Sequence, residues 1–269
     1  MSSAITSIPA VSPAPQRRMF RAYALEAKYE LLKNLRLPAY VVPTITFPVV
    51  FYIMFGLAFG GGQRVGSLGL SAYLLATYGA FGVIGASLFG FGIGVAIERG
   101  QGWLLVKRAT PMPIAAYFFA KLFMAFLFSI AIVALLLLVA AAGGTFIGWK
   151  ASAALISILI AGSIPFCAMG LFLGYVTGPN SAPAVANLIY LPLAFASGLW
   201  IPVEALPSIV QKIAPWLPPF HLAQLALKAI GGGVGTPASQ HLIALAGFTC
   251  LFLILARLAY QRDEGRTFG

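Results

Sequence analysis

The residues that could carry out chemistry are few in this chain, and they form no catalytic constellation. Of 269 residues only six are acidic and two are histidines. His221 and His241 have no carboxylate at metal-ligand spacing, and the acids are too sparse to complete a Ser/His/Asp arrangement. No GxxxxGK[ST] loop, which would hold nucleotide phosphates, occurs. The sequence therefore predicts no catalytic site, no metal site and no cofactor bound by this chain.

Six long apolar stretches fill most of the chain between residues 39 and 258. The sequence is 60% hydrophobic and 9% charged, and its mean hydropathy is +0.94. A helix rises about 1.5 Å per residue, so about 20 apolar residues cross a hydrocarbon layer of about 30 Å. We therefore predict an all-α integral membrane protein with six transmembrane helices, the fifth barely long enough. The predicted spans are 39–60, 72–97, 114–142, 151–177, 183–199 and 238–258.

Positive charge is distributed unequally between the two sides that these spans define. Of 17 lysines and arginines, thirteen fall on the side of the termini. The other side holds only Arg64, Lys150, Lys212 and Lys228. Cytoplasmic loops carry the excess of Lys and Arg, so both termini are expected in the cytoplasm. This sorting also accounts for the net charge of +11 without a nucleic-acid partner.

The segment before the first span is basic and amphipathic. Residues 1–16 are Ser/Pro-rich and are predicted to form a disordered tail, whereas 17–37 have helical periodicity and Pro38 ends the helix. Such a helix is expected to lie in the cytoplasmic interface near anionic head groups, or to pack on a partner protein. The predicted apolar stripe contains Phe20, Tyr23, Ala24, Ala27, Leu31 and Leu35.

Proline and glycine mark irregular features of the membrane domain. Pro38, Pro43 and Pro48 predict a bent cytoplasmic half of the first span. The many prolines in 200–237 exclude one spanning helix and predict two short outer helices, about 205–214 and 219–230, that re-enter the membrane or cap the protein. Small residues at spacing four indicate close helix packing within the subunit, with a dimer contact or a substrate path as alternatives. They are Gly82, Ala86, Gly90 and Gly94, then Gly170 and Gly174.

The predicted spans carry no Asp, Glu, Lys or Arg near their midpoints. Glu98 and Arg257 lie at span ends. Ion-coupled transporters and channels usually place ionisable groups at the membrane centre. This absence disfavours a self-sufficient ion-coupled transporter or channel, which stays the alternative, and favours an external source of energy for transport.

Two segments resemble type 2 permeases of ATP-binding-cassette exporters. The resemblance as a whole covers residues 17–260. IERGQGWLLVKRATPMPIAAYFFAKL resembles their cytoplasmic coupling loop, through Glu98, Arg99, Gly102, Trp103, Leu104, Thr110 and Pro111. The outer segment 191–230 resembles their outer signature, through Ser197, Gly198, Pro202, Leu206, Pro207, Pro218, Pro219, Phe220 and His221. The chain departs from the pattern in two places. Many members have an acidic residue soon after the Gly-x-Leu of the coupling loop, where this chain has Leu105, Val106, Lys107 and Arg108, and it has Lys228 in place of an Arg.

The resemblance implies a six-span permease domain over 38–260, followed by a cytoplasmic tail over 261–269. It implies a non-enzymatic subunit that pairs with a second permease copy or paralogue and with separate ATPase subunits, which bind ATP and Mg. Family cargoes are lipids, lipid-linked glycans, drugs and peptides, and an apolar path favours lipid-like cargo. The expected location is a bacterial or archaeal plasma membrane.

In the coupling loop, apolar side chains are expected to fill a groove of the ATPase while cations pair with acids around it. The anchors would be Trp103, Leu104 and Val106, and the cations Arg99, Lys107 and Arg108. Thr110 and Pro111 are predicted to begin the third span as N-cap and first turn. Glu98 is predicted to pair with a cation of the loop or of the partner. The alternative is an ordinary basic connection with Trp103 in the head groups.

Overall fold

The computed structural model describes residues 16–110, 112–233 and 235–267, and its architecture is all-α. An antiparallel hairpin pairs β1 (Arg64–Val65) with β2 (Leu68–Gly69). The helices are α1 (Gln16–Leu35), α2 (Pro38–Phe51), α3 (Leu70–Ser87), α4 (Gly94–Gly100), α5 (Trp103–Ala109), α6 (Ile114–Ala142), α7 (Trp149–Ala161), α8 (Ile164–Val176), α9 (Ala182–Ala196), α10 (Ser208–Ile213), α11 (Pro218–Ala229) and α12 (Ala238–Thr267).

Within the described residues, five helical stretches are long and apolar enough to cross a membrane. They are Tyr40–Ala58, Leu70–Gly100, Ile114–Ala142, Trp149–Val176 and Ala238–Asp263. The fifth predicted span corresponds to α9, which has 15 residues and rises only about 22 Å. The Tyr190 hydroxyl of α9 donates to the Phe81 carbonyl of α3 at 2.6 Å, so α9 packs along the second span. The prediction of an all-α integral membrane protein is confirmed.

Two spans change their helical pitch. A π-helical segment, Tyr52–Ala58, continues α2, and another, Leu88–Ile93, joins α3 to α4. The predicted irregularity of the first span therefore lies after Pro43 and Pro48, not in the half that contains them, because α2 accommodates both prolines. The fourth predicted span also has a break, where Gly162 and Ser163 separate α7 from α8.

Glycines let the second and fourth spans approach each other within this chain. A Cβ on Gly92 would lie 2.7 Å from the carbonyl oxygen of Gly170, and one on Gly174 would lie 2.8 Å from that of Gly92. Helix association in lipid depends on such backbone proximity, because lipid tails are as apolar as the side chains. The structure thus uses the predicted small residues for packing inside the subunit.

The core surrounds α3, whose residues from Tyr73 to Ser87 are all buried. Helices α2, α6, α7 and α11 pack around it. By contrast, α12 is mostly exposed and packs chiefly on α8 and α11. The exposed apolar side chains of α12 suit contact with lipid, since a helix facing hydrocarbon needs no polar face.

The two ends of the chain lie against the bundle. Helix α1 packs on α6, and the rings of Tyr23 and Phe119 meet edge to face at 5.4 Å. Of the predicted apolar stripe, Ala27 is buried, whereas Phe20 and Leu35 are exposed. Helix α12 continues to Thr267, so 261–267 are helical where a tail was predicted. The tail predicted at 1–16 lies outside the described residues except for its last residue.

The outer segment forms two short helices, as its prolines predict. They are α10 and α11, with single 3₁₀ turns at Val203–Ala205 and Ala214–Trp216. Helix α10 has no buried residue, while α11 is buried from Pro218 to Phe220 and from Leu222 to Leu227. Only α11 is enclosed by the bundle, between α3, α7 and α12.

Gly92→Ala should destabilise the protein by about 1–3 kcal/mol, because the new methyl group overpacks against the Gly170 backbone. Gly247→Ala is the matched control, since Gly247 is also helical but a Cβ there meets nothing within 4 Å. Thermal unfolding of both variants in detergent measures the difference. Equal midpoints would show that the two spans do not pack through these glycines.

Candidate functional site

Four charged side chains form a closed ring at one end of the bundle. The Lys121 ammonium donates to Glu30 Oε1 at 2.6 Å and to Glu98 Oε1 at 2.9 Å. The Lys33 ammonium donates to Glu30 Oε2 at 2.9 Å and also to Glu98 Oε1. We call these residues the ion quartet. Its charges alternate and sum to zero, so each carboxylate faces two cations.

Three elements bring the ion quartet together. Glu30 and Lys33 lie one turn apart on α1, Glu98 is near the end of α4, and Lys121 is in the third turn of α6. Lys121 is only 2% exposed. An ion buried this deeply is tolerated only when paired, because desolvation removes several kcal/mol of hydration free energy. The docking of α1 on α6 therefore depends on this pairing.

The electrostatics keep the α1 pair charged over a wide pH range. Burial alone raises the pKa of Glu30, but the ammonium groups of Lys121 and Lys33 outweigh it and hold that pKa below 4.5. Burial lowers the pKa of Lys33, yet the carboxylates of Glu30 and Glu98 outweigh it and raise that pKa above 10.5. The stability from Glu30 is lost only as pH falls through its lowered pKa, and that from Lys33 only as pH rises through its raised pKa.

Glu98 is paired with two cations of this chain. They are Lys121, near the end of the segment that resembles the coupling loop, and Lys33 of α1. The contact with Lys33 arises because α1 folds back over the end of the second span, which a linear reading of the chain does not reveal. Pairing of Glu98 with a cation of the partner stays a prediction.

Arg99 points into the protein. Its guanidinium donates to the carbonyls of Tyr175 and Thr177, both at 2.6 Å, and to the Asp263 carboxylate at 2.9 Å. A cation at the end of α8 satisfies helix carbonyls that lack an intrahelical donor. Arg99 thereby joins α4, α8 and α12.

A left-handed glycine starts the candidate coupling helix, α5. Gly102 has φ of +75°, a conformation that side chains disfavour, and it turns the chain between α4 and α5. Trp103 is 54% exposed and Val106 55%. Leu104 is half-buried and packs against the hydrophobic cluster that contains the buried Tyr117. The exposed apolar surface of α5 is therefore formed by Trp103, Leu105 and Val106, and the predicted anchor Leu104 is only partly exposed.

The cations of α5 differ in their placement. The Lys107 ammonium pairs with Glu26 of α1 and lies 4.4 Å from the centre of the Tyr117 ring. Lys107 thus connects α5 to α1. The side chain of Arg108 and all of Pro111 lie outside the described part of the structure.

Thr110 ends α5 and does not cap the third span. Its hydroxyl donates to the Lys107 carbonyl at 2.6 Å, and α6 begins only at Ile114, after Pro113. The predicted N-cap is wrong because the chain makes an additional bend between the two helices.

The outer signature residues shape the turns around α10 and α11. Gly198, with φ of +76°, ends α9, and its Cβ position is occupied by Val203. Pro202 and Pro207 precede the 3₁₀ turn and α10, and Pro218 with Pro219 begins α11. Ser197, Leu206 and Phe220 are buried, and His221 contacts His241. This signature is not near the ion quartet; it lies at the opposite end of the second span.

Sequence reasoning missed several residues of this site. They are Glu26, Glu30, Lys33, Tyr117, Lys121 and Asp263. The one local signal was the Glu30 and Lys33 pair at helical spacing. The rest depend on which helices meet.

The chain belongs to the ABC-2 type transporter family, whose sequence pattern matches residues 22–230. It is also 27% identical over 242 residues to a Bacillus subtilis (strain 168) protein named "Putative transport permease YvfS", a match that covers 87% of this chain and 95% of that protein. The resemblance seen in the sequence is confirmed for the family. The protein is thus a multi-pass membrane protein with a role in transport.

Lys121→Met should lower the free energy of unfolding by about 3–5 kcal/mol, because Glu30 and Glu98 would lose their buried cation while the apolar stem remains. Lys28→Met on the exposed face of α1 is the control and should have little effect. Adding Glu30→Gln to Lys121→Met should recover part of the loss. If all three variants unfold alike in detergent, the ion quartet does not hold α1.

Proposed function

We propose that this chain is the transmembrane subunit of an ATP-driven exporter. It pairs with a second permease copy or paralogue and receives energy from separate ABC ATPase subunits, to which ATP and Mg bind. The observation that carries the proposal is α5, a short helix with an apolar outer surface whose base is tied by ion pairs to the rest of the bundle. Membership of a family of ABC transporters supports the ATPase partner in general terms.

The exposed face of α5 suits a protein partner. Trp103, Leu105 and Val106 project outward from seven helical residues, and aromatic and apolar anchors dominate the energy of protein interfaces. Lys107 ties α5 to α1, and α1 is tied to α4 and α6 by the ion quartet. A displacement of α5 would therefore be transmitted to the second and third spans instead of being absorbed by a loose loop.

An apolar groove supports a lipid-like or hydrophobic cargo. A cavity of about 450 Å³ lies between α2, the second span and α9, and is lined by Phe47, Phe81, Phe89, Tyr190 and Leu191, among others. Among the residues that the structure describes, no charged side chain lines it. Its Tyr190 and Thr44 hydroxyls already donate to backbone carbonyls. Such a surface has the size and apolarity of ligand sites and fits an uncharged, apolar group better than an ionic one.

The charge distribution along the sequence supports cytoplasmic termini, and the plasma membrane location stays part of the proposal. Arg99 contacts Asp263 near the end of α12, and Lys107 contacts Glu26 of α1, so both ends of the chain meet the α5 region. This arrangement agrees with an even number of crossings. The α5 region then faces the ATPase and nucleotide in the cytoplasm, and α10 faces outward.

Trp103→Ala with Val106→Ala should weaken binding of the co-expressed ATPase by about 2 kcal/mol or more, about thirtyfold, because it truncates the exposed anchor. Trp149→Ala is the control, since Trp149 is even more exposed, 82% against 54% for Trp103, but lies outside α5. Pull-down in detergent and cargo-stimulated ATP hydrolysis measure the effect. Normal ATPase stoichiometry in the double variant would contradict coupling through α5. Transport driven by an ion gradient without any ATPase would favour the alternative, an ion-coupled transporter.

Ser208→Cys should react with a membrane-impermeant thiol reagent on intact cells, because α10 is exposed and is assigned to the outside. Gln101→Cys, which is exposed next to α5, should react only after permeabilisation. Mass-shift labelling distinguishes the two variants. The reverse pattern would invert the proposed topology.

A further inference from the structure

The two histidines of the chain meet where α11 packs on α12. His221 Nδ1 and His241 Nδ1 are 2.9 Å apart, and Thr236 Oγ1 is 2.8 Å from His241 Nε2. His241 is buried, and the rings of Phe220 and Phe248 lie beside the pair. The loop 230–237 connects the two helices, so this contact closes the loop at its base.

The geometry allows both rings to be neutral in the closed contact. Each neutral imidazole has one donor and one acceptor nitrogen, so Nδ1 of one ring donates to Nδ1 of the other. The Thr236 hydroxyl can either donate to His241 Nε2 or accept from it, so it fits whichever tautomer His241 adopts.

We propose that His221 and His241 form a proton-operated latch that holds α11 against α12 at neutral pH and releases it at acidic pH. When both rings are protonated, an N–H faces an N–H at the present separation, with no acceptor between them. The hydrogen bond that joins the helices is then lost, and two charges remain among aromatic rings. Opening the contact to water relieves both effects.

The surroundings favour the neutral, closed form. Burial lowers the pKa of His221 from its usual 6.5, although the hydrogen bond to the Pro215 carbonyl acts in the opposite direction. The open form therefore binds protons more readily, so the closed form is favoured above about pH 6.5 and loses stability as pH falls from there towards the lowered pKa.

The neighbouring charges do not offset the positive charge that protonation would add to His221 and His241. The cations on adjacent elements are Lys228 of α11, which acts on His241, with Lys212 of α10 and Lys150 of α7. The titratable groups on α3 are Tyr73 and Tyr78. Of the acids, Glu204 interacts electrostatically with Tyr73, and Asp263 binds Arg99 at the other end of α12. No three metal-ligating side chains cluster among the described residues. A divalent cation is disfavoured beside Lys228, and the proton is the ligand that fits.

The latch is independent of the transport function, since it concerns only the contact of α11 with α12. The proposed topology decides merely which compartment supplies the protons. In that topology the latch faces outward, so external acidification would loosen the one outer helix that is buried in the bundle.

Histidine-labelled NMR of the purified full chain in nanodiscs tests the latch, because two histidines give two ring resonances. Both should titrate in the same coupled steps, and the His221 ring should have its midpoint below about 6.5. Amide exchange of 220–229, corrected for the intrinsic pH effect, should increase several-fold below that midpoint. Independent titration near 6.5, or exchange that does not depend on pH, would overturn the proposal.

Two variants sharpen the test. Lys228→Gln should raise the midpoint, because removing a nearby positive charge makes protonation easier. His241→Phe keeps an aromatic ring but removes the latch, so exchange of α11 should lose its pH dependence. If His241→Phe does not fold, the wild-type titration and Lys228→Gln decide the question. If the midpoint is unchanged in Lys228→Gln, Lys228 does not repel the protonated histidines, which would count against the proposal.

Discussion

Pairing of buried charge at the ion quartet is the constraint on which this end of the molecule depends. Lys121 is withdrawn from water, and it is tolerated because Glu30 and Glu98 both accept from it. Lys33 closes the ring from α1. None of the three elements involved can leave without stranding a buried charge, so α1 is as much a part of the bundle as a span.

Close backbone packing lets the ring close. Gly94 lies beside the Lys121 ammonium, and a Cβ there would be 2.8 Å from Nζ. Two residues earlier, Gly92 meets Gly170 in the π-helical segment. Small residues and a local change in pitch thus set the depth and rotation of α4, and with them the direction of Glu98 and Arg99. These two neighbours then reach opposite parts of the bundle, α1 and α6 on one side and α8 and α12 on the other.

The same end of the molecule contains α5. The surroundings of α5 explain why this helix is a candidate for transmitting movement of the ATPase to the spans. One face carries exposed apolar side chains, the other packs Leu104 inward, and Lys107 holds α1. The groove of the second span lies further along the same helix, at Phe81 and Phe89. A continuous helical stretch of 31 residues therefore connects the α5 region to the groove and to the opposite end. This continuity gives the proposed coupling a physical route.

Hydropathy and charge along the chain determined the class of protein, because a span of apolar residues has few other stable environments. Proline positions likewise determined the short helices α10 and α11, since a missing amide hydrogen acts locally. Which charges meet was decided only by the tertiary structure. Glu98 was expected to pair with a cation of the loop or of the partner, and its contact with Lys33 of α1 was not foreseen; nor was the half-buried position of Leu104. Ion pairs and side-chain directions depend on the rotation and contact of whole helices, which linear spacing does not specify.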